Sequence, residues 1–78
     1  MSKDTDFIKK MKEIIIPSVE ELVRKEEEHL EHLRKSRRRM IDRKMMLSLS
    51  MVDRFIKTSE QMLGHFRQRL QEYKDYAA

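Results

Sequence analysis

From Ser18 to Leu63 the chain contains no glycine, proline or asparagine. Chains of many short strands need those residues at their turns, so this stretch argues for long helices. The whole sequence of 78 residues has one glycine, one proline and no cysteine. Disulfide scaffolds and thiolate zinc sites are therefore excluded. The longest apolar runs are Ile14–Ile16 and Met45–Leu47. Both are far too short for a signal peptide or a membrane span, so a cytoplasmic protein is expected. The fold class expected is all-α.

Two apolar stripes run through the long stretch. The first reads Val19, Leu22, Val23, Glu26, Leu30, Leu33, Arg37, Met40, Lys44. The second reads Met45, Leu49, Val52, Ile56, Ser59, Leu63, Phe66, Leu70, Tyr73, alternating steps of four and three. That alternation is heptad spacing. The stripes do not join in register, and the mismatch falls between about Arg37 and Leu49. One reading is a helical hairpin that turns at 48–50, where Ser50 and Asp53 offer a capping-box-like start. The alternative is a single long helix in a coiled coil, roughly 85 Å long at 1.5 Å per residue.

Three segments follow from this reading: an amphipathic helix over 5–16, a helix over 18–47 and a heptad helix over 51–76. Pro17 should end or kink the first, and Ser18 with Glu21 forms a capping box for the second. Phe7, Met11, Ile14 and Ile15 share a face, which is expected to dock on the rest of the bundle. A chain this short buries little core and has no staple. A homodimer is therefore expected, with Leu49, Val52, Ile56, Leu63, Phe66 and Leu70 at its interface.

Charge is segregated. Residues 20–31 hold six glutamates against Arg24 and Lys25, whereas residues 34–44 hold seven cations against Asp42 alone. The cations are Arg34, Lys35, Arg37, Arg38, Arg39, Arg43 and Lys44, a local charge of +6. Seven cations within three turns attract phosphate, which arginine binds with two parallel hydrogen bonds. Nucleic acid is thus one partner to expect. A structural reading also exists: cations at the end of a helix complement its dipole, and Glu20–Arg24, Glu21–Lys25 and Glu31–Lys35 are favourable i,i+4 pairs. No aromatic residue lies within 34–44, which disfavours base stacking and favours contact with a duplex backbone.

The order of a basic segment followed by heptads resembles that of the basic-zipper proteins. The match stops at that order: the basic segment has no asparagine, and Met40, Ile41, Met45 and Met46 interrupt it. Arg24-Lys-Glu-Glu-Glu-His29 is similar to the Arg-x4-His motif of the HEPN ribonucleases, which would imply Arg24 and His29 at a dimer cleft. His29 and His32 stand three apart beside Glu26 and Glu28, but a metal needs a third ligand held in place. No metal, cofactor or small-molecule substrate is expected, and a non-enzymatic protein follows. The seven methionines include Met45, Met46 and Met51, which cannot all face one stripe. At least one should be exposed or meet a protein partner.

Overall fold

The computed structural model describes residues 2–78, with side chains from Thr5 onward. Among these residues every element is helical. Helix α1 (Ser2–Lys10) passes through a π-helical turn (Met11–Ile15) into α2 (Ile16–Asp42), and α3 (Met46–Ala77) returns antiparallel to it. The molecule measures 62 × 15 × 13 Å. Its long axis equals one unbroken helix over residues 2–42 at about 1.5 Å per residue. The hairpin is therefore the architecture adopted, and the single rod is not. None of the described helices is long and apolar enough to cross a membrane.

Pro17 neither ends the helix nor starts a new one. It lacks the N–H that an α-helix would direct to the carbonyl four residues back. The preceding turn widens instead, so that the Ile16 N–H reaches the Met11 carbonyl. Ser18, expected as a cap, donates its hydroxyl back to the Ile14 carbonyl at 2.6 Å, as mid-helix serines do. The widened turn also rotates the apolar face. Ile14 is exposed, while Met11 and Ile16 are buried against Ala77, with Ile8, Ile15, Leu70 and Tyr73 around them. Phe7 meets Tyr76 edge-on at 5.6 Å.

The turn lies five residues earlier than the sequence suggests, at 43–45 rather than 48–50. Asp42 ends α2 and Met46 already belongs to α3, so the arms are 16–42 and 46–77 rather than 18–47 and 51–76. Lys44 adopts the left-handed conformation, φ 56°. Its N–H binds the Ile41 carbonyl at 3.1 Å, and the Met45 N–H binds the Met40 carbonyl at 2.9 Å. These two bonds make a Schellman C-cap, with lysine where glycine is usual. That substitution hides the turn from the sequence. The only glycine, Gly64, sits inside α3, where no turn needs it.

Val23, Leu30 and Leu63 form the central core, flanked by Ile56, Phe66 and Leu70. Leu33 and Val52 are buried nearer the turn. Glu26, Arg37 and Lys44 break the first apolar stripe and Ser59 the second, and each has a local reason. Glu26 receives a hydrogen bond from the buried hydroxyl of Ser59. Arg37 crosses between the arms to Asp53 at 2.6 Å. Lys44 makes the turn.

Candidate nucleic-acid interface

The basic segment occupies the last three turns of α2 and the turn after it. Its backbone is fixed by α2 on one side and by the C-cap on the other. Cations there also oppose the partial negative charge at the C-terminus of the helix. Two of the seven are paired: Lys35 with Glu31 at 3.5 Å, and Arg37 with Asp53 at 2.6 Å. Arg34, Arg38, Arg39, Arg43 and Lys44 are exposed and have no ion pair among the described residues. Arg54 and Lys57 on the facing part of α3 are likewise exposed and unpaired. The turn end of the hairpin thus concentrates solvated positive charge.

These cations point in several directions. Arg34, Lys35 and Arg38 line one shallow polar cleft together with Glu27, Glu31 and Arg67. Arg67 spans the arms to Glu27 at 3.3 Å. Arg39 and Arg43 stand outside that cleft. Arg37, held by Asp53, is the least available of the seven. Chemically the arrangement offers several guanidinium groups around a convex end, which suits the outside of a charged backbone rather than a small enclosed anion.

Apolar side chains share this end. Leu47 is 88 % exposed and Met46 71 % exposed, with Ile41, Met45 and Met51 also open to solvent. Helical angles require that at least one of Met45, Met46 and Met51 leave the stripe; all three are exposed. Leu47 gives no such signal in the sequence, because it extends an apolar run that looks like core. Its exposure follows from its place on α3: two residues before the half-buried Leu49, it lies on the face turned away from α2.

The six residues expected at a dimer interface lie against the chain's own α2. Val52 and Leu63 are buried there, and Leu49, Ile56, Phe66 and Leu70 are half-buried. Arg24 and His29 lie on different sides of α2, five residues apart. Arg24 is held by Glu21 and Glu28, and its guanidinium keeps the Glu21 carboxyl below the ordinary carboxylate range. His29 and His32 are exposed, and no metal-holding group of three His, Asp or Glu occurs among the described residues. Comparison with protein-family models, curated proteins and solved structures finds no match to this chain.

Proposed function

We propose that this chain is a small, non-enzymatic, self-associating regulatory protein of the cytoplasm that binds nucleic acid through residues 34–44. One observation carries the reading: five of the seven cations there lack a carboxylate partner among the described residues. Like charges crowded along one helix repel by a few tenths of a kcal/mol per pair. A polyanion removes that repulsion and releases its own counterions. Arg34, Arg38, Arg39, Arg43 and Lys44 would contact phosphates, and Lys35 and Arg37 would add to the field while remaining tethered.

The test is binding to a random-sequence DNA duplex and to RNA across a salt series. Tight binding at low salt with a steep negative slope is expected. Removing one phosphate-binding cation should make the slope shallower by about 0.9 on B-DNA. The variant Arg38→Glu, Arg39→Glu, Arg43→Glu should keep its helicity and lose the binding. Absence of binding at low salt would end this reading.

The exposed Met46 and Leu47 favour a second reading, an adaptor or inhibitor that docks on another protein through its apolar turn end. Such binding would tolerate salt and fail when Met46 and Leu47 are truncated to alanine.

A further inference from the structure

The hairpin has two flanks beside its seam, and they differ in charge. Because the arms are antiparallel, stepping back one residue from a seam position rotates about 100° toward the same flank on both. On α3 that step gives Met51, Phe55, Thr58, Met62 and His65, spaced 4, 3, 4 and 3. On α2 it gives Leu22, Lys25, His29, His32 and Ser36 from the seam residues Val23, Glu26, Leu30, Leu33 and Arg37. Of these ten only Lys25 carries a fixed charge, in a chain with 41 % charged residues. Phe55 is 53 % exposed, and Leu22, Met51 and Met62 are also exposed. The opposite flank holds the Glu27–Arg67 pair and the polar cleft.

The elongated chain as a whole exposes more surface than a compact monomer of its mass. The accessible surface is 6494 Å² for 9.6 kDa, against about 5,100 Å² for a compact monomer of that mass. The excess of about 1,400 Å² falls in the range that each subunit of an obligate dimer buries. A second copy offers the same weakly charged flank, and pairing two hairpins makes a four-helix bundle.

Charge sets the orientation. This flank is centred near His29 and Thr58, between Leu22 at one end and Met51 at the other. Pairing about that centre in the antiparallel sense sets the basic 34–44 segment of one copy opposite residues 15–25 of the other, where Glu20 and Glu21 balance Arg24 and Lys25. Parallel pairing would gather both basic segments at one end of the bundle, where like charges repel. We infer that two copies of this chain associate antiparallel through the Leu22–Met51–Phe55–Met62 flank into a four-helix bundle, with the two basic ends held apart at its opposite ends. This deepens the self-association named above and does not depend on nucleic acid. A dimer that ignores duplexes leaves it standing, and a monomer that binds duplexes overturns it alone.

Sedimentation of the full chain at micromolar concentration should give twice the 9.6 kDa of one chain. A monomer would overturn the inference. Phe55→Gln with Met62→Gln should weaken association by about 100-fold or more, since each 1.4 kcal/mol is tenfold. An undiminished dimer would place the interface elsewhere. Should that variant lose helicity on dissociating, cysteine coupling decides independently in an otherwise native chain that has no cysteine of its own. Met51→Cys should couple under mild oxidation to His65→Cys of a second copy and not to itself. Met51→Cys chains that couple chiefly to each other would overturn the orientation.

Discussion

Lys44→Gly tests the hairpin through the sign of its effect. Lys44 holds φ 56° at the C-cap of α2. The left-handed conformation costs a residue with a Cβ roughly 1–2 kcal/mol, and glycine avoids that cost. Glycine also gives the unfolded chain more freedom, which takes back roughly 0.5–1 kcal/mol. The net expectation is a stabilisation of about 0.5–1 kcal/mol. For a domain of this size that raises Tm by about 3–6 °C. Thermal unfolding followed by circular dichroism, at one fixed protein concentration, measures it. Lys44→Ala is the control: alanine has the same Cβ, so it should stay near the parent value. Were the turn at 48–50, or the chain one rod, residue 44 would lie inside a helix. Glycine there would cost about 1 kcal/mol. A fall in Tm for Lys44→Gly therefore refutes the turn at 43–45.

Gly64→Ala should shift stability upward by about 1 kcal/mol, because an added Cβ meets nothing within 4 Å and the residue is helical; an unchanged or lower Tm would contradict the open surface at that position. Ser59→Ala should destabilise by about 1.5–3 kcal/mol, since it strips the half-buried Glu26 carboxylate of its donor. Adding Glu26→Leu should restore most of the loss, and denaturant midpoints of the two singles and the double reveal the coupling. Leu63→Asp should abolish the circular dichroism signal of the hairpin rather than merely dissociate it, because Leu63 is packed in the seam; a folded monomer would show that the seam is dispensable. Pro17→Ala should leave residues 16–42 helical, as the proline is accommodated by one widened turn; loss of helicity by circular dichroism would mean the π-helical turn is required for α2.

Much of the candidate interface is legible in the sequence, because a run of cations on a helix stays solvated wherever that helix goes. What the sequence does not disclose is which of them are occupied. Arg37 looks like an intruder in an apolar stripe until the fold brings Asp53 to it across the arms. Glu26 and Ser59 are two separate flaws in two stripes, and they answer each other only when the arms meet. Leu47 looks buried because its neighbours are apolar, yet it projects from the convex end.

Helical periodicity and composition alone determined that this chain is all-helical, which face of each arm is apolar and where charge collects. Those are local properties, set by 3.6 residues per turn and by side-chain chemistry. Only the tertiary structure decided that the heptad stripe is satisfied by the same chain and that the chain reverses at Lys44. The physical reason is that periodicity names a sticky face but not its partner. A turn of three residues holds the two arms close enough that the intramolecular seam closes with little loss of chain entropy. The backbone bonds of the Schellman cap make that reversal without the glycine that usually signals one.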